Sequence, residues 1–136
     1  MVLVPIEYDI DFARRIVIVS PRGALTFEEI TEYQRQVWTR PDIAGYNELV
    51  NMNEVTGING DTINNVKQLA ELSSAMDPSI GPSKLAIVAT ADFHYGMGRM
   101  YKVFRESHPG SPKQVQVFRD YEDAMCWLCS KEQAMT

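Results

Sequence analysis

One stretch, Ser83 to Ser107 (SKLAIVATADFHYGMGRMYKVFRES), restricts the folds open to this chain more than any other. Leu85-Ala86-Ile87-Val88-Ala89 is a short continuous apolar run. Such a run suits a strand buried on both faces, as in a parallel sheet covered by helices. Thr90-Ala91-Asp92 supplies a short turn, with Asp92 as a helix cap. Phe93, Met97, Met100 and Phe104 then recur at helical spacing and mark an inward helix face. A buried strand feeding a helix that folds back over it is the unit of a layered α/β domain.

The rest of the chain repeats this logic. Ile6, Tyr8 and Ile10 alternate with Glu7 and Asp9, and Ile16-Val17-Ile18-Val19 is β-branched throughout. The short link between these two strands predicts an antiparallel hairpin, which Pro21-Arg22-Gly23 ends. Thr26 and Glu29 form a capping box, and Leu25 and Ile30 sit at the positions of a hydrophobic staple. The helix that follows buries Ile30, Tyr33 and Val37 and stops before Pro41. Asn47 to Met52 reads as a third strand and Asn53 to Gly60 as a loop. Asp61 then caps a helix with Ile63, Val66, Leu69 and Ala70 inward and Met76 extending that face, and Asp77-Pro78 ends it. Gln114 to Phe118 alternates as a last strand. Asp120 and Asp123 cap a final helix with Tyr121, Ala124, Trp127 and Leu128 inward. The order is ββαβαβαβα, one domain over residues 1–136. Its five-stranded mixed sheet should carry the first strand antiparallel at an edge and the Leu85–Ala89 strand in the interior.

Charge narrows the function classes. Thirteen basic and eighteen acidic residues leave a net charge of −5. The basic residues are scattered, whereas nucleic acids and anionic membranes are met by clustered Lys and Arg. No apolar run approaches the roughly 20 residues that cross a bilayer. The start, MVLVPIEYDID, lacks the basic region and cleavage site of a signal peptide, so the expectation is a cytoplasmic protein with both cysteines reduced.

Two segments, YGMGRMYKVF (Tyr95–Phe104) and VQVFRDYEDAMCWL (Val115–Leu128), taken with the element order, resemble the SpoIIAA-like or STAS-like family. That family is named after the sporulation anti-anti-sigma factor. The resemblance spans about residues 6 to 130 and implies the family's layered α/β fold. It also implies a binding or regulatory role through protein contact rather than catalysis. In anti-anti-sigma factors a serine of an Asp-Ser-Ser-Gly motif, at the start of the helix after the third strand, is phosphorylated. The matching segment here reads Gly57-Ile58-Asn59-Gly60-Asp61-Thr62-Ile63. Asn59 stands near the motif's aspartate and Asp61 or Thr62 near its serines. Neither serine is present, and Thr62 is the one nearby hydroxyl at the helix start.

The residues themselves offer three further candidates. Cys126 and Cys129 are spaced as a CxxC, but they lie well into the last helix, behind Glu122 and Asp123. Reactive pairs sit at a helix N-terminus, so packing is the expected role. Zinc would need two more ligands, and His94 and His108 lie on different elements, so no metal or cofactor is implied. His94 and Asp92 lie at the C-terminal end of a parallel strand, where ligands bind in open α/β sheets. With Asn53, Glu54 and Asp61 they form the alternative to a protein-contact role, a small-molecule or small-enzyme site on the loops Asn53–Thr62 and Asp92–His94. Gly96 and Gly98 inside a helix each cost about 1 kcal/mol relative to alanine. With Tyr95, Arg99, Tyr101 and Lys102 they are read as a surface for a second copy in a homodimer, or as close packing on the chain's own sheet. No catalytic motif stands out. A deep pocket with converging polar groups near His94 would favour the small-molecule reading, and a flat loop end the protein-contact reading.

Overall fold

The computed structural model describes residues 6–58, 62–80, 82–107 and 113–130, with backbone alone at 62 and 77–80. The hairpin opens the fold as β1 (Glu7–Asp11) and β2 (Ile16–Ser20), antiparallel with Tyr8 opposite Val19. Gly23, at φ +69°, turns the chain into a three-residue strand, β3 (Gly23–Leu25). Thr26 closes the capping box with Glu29 at the start of α1 (Phe27–Val37), and Tyr33 and Val37 are buried from it. A single 3-10 turn, Pro41–Ile43, leads to β4 (Asn47–Asn51) and β5 (Val55–Ile58). The remaining elements are α2 (Thr62–Ile80), β6 (Ser83–Val88), α3 (Asp92–Glu106), β7 (Lys113–Phe118) and α4 (Tyr121–Cys129).

Five strands form a mixed sheet in the order β1-β2-β4-β6-β7, with β1 antiparallel and every other pair parallel. The Leu85–Ala89 run is thus interior, as expected, although β4 holds the middle position. Beyond the sheet, β3 and β5 pair in parallel as a separate two-stranded ribbon, Leu25 opposite Ile58. Neither ribbon strand was expected. At three and four residues they are too short to show a period.

The register sorts the side chains onto two faces. Val17, Glu48, Leu85 and Val115 form one rung and Val19, Val50, Ile87 and Val117 another, both under α1, α2 and α3. Ile16, Leu49, Ala86 and Val88 face the other way, against Ala124 and Leu128 of α4.

The Asp77-Pro78 step does not end α2, which runs on to Ile80. Pro78 falls in the final turn, where one lost amide bond ends the helix only shortly afterwards. Ile63 is 61% exposed, not inward, because the inner face of α2 is set by Val66, Leu69 and Ala70. In α3 the inward face runs through Met97, Gly98, Tyr101 and Arg105, and Phe93 is 60% exposed. The helix is turned so that Gly98, not Phe93, lies on the sheet. The N-cap of α3 is Ala91, with no side-chain cap, and Asp92 is the first helical residue. On α4, Asp120 caps by accepting from the Asp123 amide, so Asp123 is an exposed first-turn residue and not a cap. Cys126 and Cys129 are exposed, not packed, because the buried positions of α4 are Ala124 and Leu128.

Candidate functional site

Three helices laid across one sheet face leave space between them, and that space is the candidate site. The cavity measures about 140 Å³. Its floor is Glu48, Val50, Leu85 and Ile87 of the sheet. Ile30 and Tyr33 of α1, Val66 and Leu69 of α2, and Met97 and Tyr101 of α3 form the walls. The ribbon adds Leu25 and Ile58, and His94 lies at the start of α3. The lining is overwhelmingly apolar, with a few polar groups set into it, which is the general character of small-molecule sites.

Glu48 is the polar centre of this wall. It stands in an otherwise aliphatic rung and is only 3% exposed. Tyr33 donates its hydroxyl to Glu48 Oε2 at 2.6 Å, and Trp38 Nε1 donates to the same oxygen at 3.2 Å. The indole N–H also reaches the Tyr33 hydroxyl oxygen, at 3.1 Å. All three groups are thereby tied together. Burial, and then the Glu48 charge and hydrogen bond, push the Tyr33 phenol well above its ordinary pKa. Tyr33 therefore remains a donor to the carboxylate throughout the neutral range. The Lys113 ammonium rests over the Trp38 ring, 5.1 Å from its centre, and donates to Ser83 Oγ at 2.8 Å.

The sequence candidates are distributed unevenly around this site. His94 lines the cavity. Asp92 does not join it. Its carboxylate accepts from Arg119 Nη1 at 2.6 Å, and the same nitrogen donates to the Thr90 carbonyl oxygen at 2.9 Å. Among the described residues no carboxylate forms an ion pair with His94. Asn53 serves the backbone, accepting from the Thr90 amide at 2.9 Å. Asn59 and Asp61 lie outside the described residues, as does the side chain of Thr62.

The interface candidates divide in the same way. Gly98 and Tyr101 are buried within the chain, against its own sheet and cavity. A Cβ at Gly98 would stand 3.1 Å from Val117 Cγ1 and 3.3 Å from Ile87 Cγ2, so the glycine lets α3 lie close to β6 and β7. In the single chain these two present little surface. Gly96 and Arg99 are exposed, Lys102 pairs with Glu106 at 2.9 Å, and Tyr95 lies under the Arg119 guanidinium at 4.0 Å. Among the described residues no group of three or more His, Cys, Asp or Glu side chains could hold a metal, and no helix is long and apolar enough to cross a membrane.

Neither Glu48 nor Trp38 stood out in the sequence. The available signal was a charged residue inside Asn47–Met52, a strand that a doubly covered sheet must bury.

No family model matches the sequence, and no curated protein does. Among solved structures, the chain is similar to an uncharacterised protein of the DUF3478 family with a SpoIIAA-like fold from Shewanella loihica PV-4. The two share 19% sequence identity at a TM-score of 0.58, over 95% of this chain and 98% of the other. The likeness is one of fold, and this chain, with its five-stranded mixed sheet and antiparallel first strand, has a SpoIIAA-like fold.

Proposed function

We propose that this protein is a non-enzymatic binding module that takes a small apolar molecule into the cavity between its sheet and α1, α2 and α3. The observation that carries this reading is the cavity itself, bordered by His94 and floored by a buried carboxylate. Its volume is close to that of a dry engineered cavity, about 150 Å³, that binds benzene. The unassembled His94–Asp92 pair supports binding over catalysis. Toluene is the defining probe. Titrated against the full chain and followed by methyl NMR, it should shift Met52 and Met97, which both line the cavity. Val66→Phe, which projects a ring into the same space, should weaken toluene binding by about tenfold or more. Unmoved methionine signals, or binding indifferent to Val66→Phe, would reject the reading.

A second reading, contact with another protein or a second copy through the outer side of α3, is supported by Phe93 and Val103. They are 60% and 63% exposed, beside the open surface at Gly96. Light scattering on the wild type and on Phe93→Ser tests it. A dimer lost in the variant supports it, and a monomeric wild type removes the homodimer.

A further inference from the structure

We infer that the ligand of this cavity is a one-ring-sized apolar amine, held by the second oxygen of Glu48. The inference rests on the small-molecule reading above and specifies its ligand chemistry.

The geometry around the carboxylate is lopsided. Tyr33 and Trp38 both direct their donors to Oε2. Among the described residues Oε1 receives no hydrogen bond, and Glu48 forms no ion pair. Yet the side chain is 97% buried and lies in the cavity wall. A carboxylate offers about four acceptor positions on two oxygens. Burying such a group with one oxygen unmet is costly, and a donor arriving inside the cavity offsets that cost. Tyr33 and Trp38 hold the carboxylate in place beforehand, so little ordering is left for the ligand to bring about.

The chemistry of the partner follows. An alcohol brings one donor. An ammonium brings three donors and the opposite charge, and charge-assisted hydrogen bonds are roughly twice as strong as neutral ones. A carboxylic acid brings a like charge to a buried carboxylate and is disfavoured. Met97, Leu85, Ile87 and Tyr101 surround the remaining space with apolar area suited to a ring or short branched chain. His94 lies in the same wall and can accept a hydrogen bond when neutral.

Calorimetry on the full chain at neutral pH, with benzylamine, benzyl alcohol, toluene and benzoate as matched probes, tests this. Benzylamine should bind about tenfold tighter than toluene, benzyl alcohol should fall between them, and benzoate should bind most weakly. In Glu48→Gln the advantage of the amine over toluene should shrink to about twofold, with toluene itself unchanged. Should Glu48→Gln not fold, as judged by circular dichroism, the ranking in the wild type decides alone. Toluene binding with no preference for the amine overturns this inference and leaves the small-molecule reading standing. An amine preference that survives in folded Glu48→Gln also overturns it. Failure of all four probes rejects both.

Discussion

The two faces of the sheet are closed in different ways. Under α4 the contact is between aliphatic strand residues and small helix positions. Leu49, Ala86, Val88 and Ala124 are fully buried, and Leu128 nearly so. The charged group on that face, Lys84, is 2% exposed, and its ammonium is taken up within the chain. It donates to the Trp127 and Ser130 carbonyl oxygens at 2.8 and 3.2 Å and lies over the Trp127 ring. It thus adds a charged donor to carbonyls at the end of α4. On the opposite face three helices meet one sheet, and a cavity of about 140 Å³ remains. A carboxylate in the sheet there, Glu48, is held from one oxygen only. One face spends its polar capacity on its own backbone, and the other keeps part of it in reserve. Reserve capacity in an apolar recess is what a binding site requires.

Leucine truncation on each face measures this contrast most directly. Leu49, fully buried under α4, should cost about 3–5 kcal/mol when replaced by Ala, through lost transfer energy and a new void. Leu85, 4% exposed, faces the existing cavity and already forgoes packing contacts on that side. Leu85→Ala should therefore cost less, about 2 kcal/mol. Urea denaturation of both variants gives the difference. Equal costs would mean that the two faces are packed alike.

Much of the architecture was legible because it rests on strong local signals. The β-branched Ile16–Val19, the capping box of Thr26 and Glu29, and the apolar Leu85–Ala89 run each correspond to an observed element. Their order fixed the sheet and its antiparallel first strand. The site was harder to read. Its centre is a glutamate whose neighbours in the sequence, Asn47 and Leu49, point to the opposite face. Its partners, Tyr33 and Trp38, come from fifteen and ten residues earlier in the chain. Nothing in the local pattern of Asn47–Met52 shows that two donors will converge on one oxygen. The loop candidates follow from the rule that ligands bind where parallel strands end. Of these His94 does border the cavity, while Asp92 is held by Arg119, a residue that neither periodicity nor capping brings into view.

The smallest effect concerns the two glycines of α3, which look alike in the sequence and differ in what they face. Around Gly96 a Cβ would meet nothing within 4 Å, and the residue is exposed. Alanine there should stabilise the protein by about 0.5–1 kcal/mol, since helix propensity improves and the unfolded chain loses freedom. At Gly98 the same methyl meets Val117 and Ile87 at 3.1 and 3.3 Å. Both neighbours are β-branched and stiff at χ1, so they yield only by displacing the strands that carry them. Overpacking of this kind costs about 1–3 kcal/mol, which offsets and exceeds the propensity gain. Gly98→Ala should therefore destabilise slightly where Gly96→Ala stabilises, and paired thermal melts read the sign of each. Opposite signs would show that α3 lies as tightly on β6 and β7 at Gly98 as α4 does on its own face, which confines the open volume to the space toward α1 and α2. A gain at both positions would mean that the contact at Gly98 is loose, and that the cavity face yields along the whole of α3.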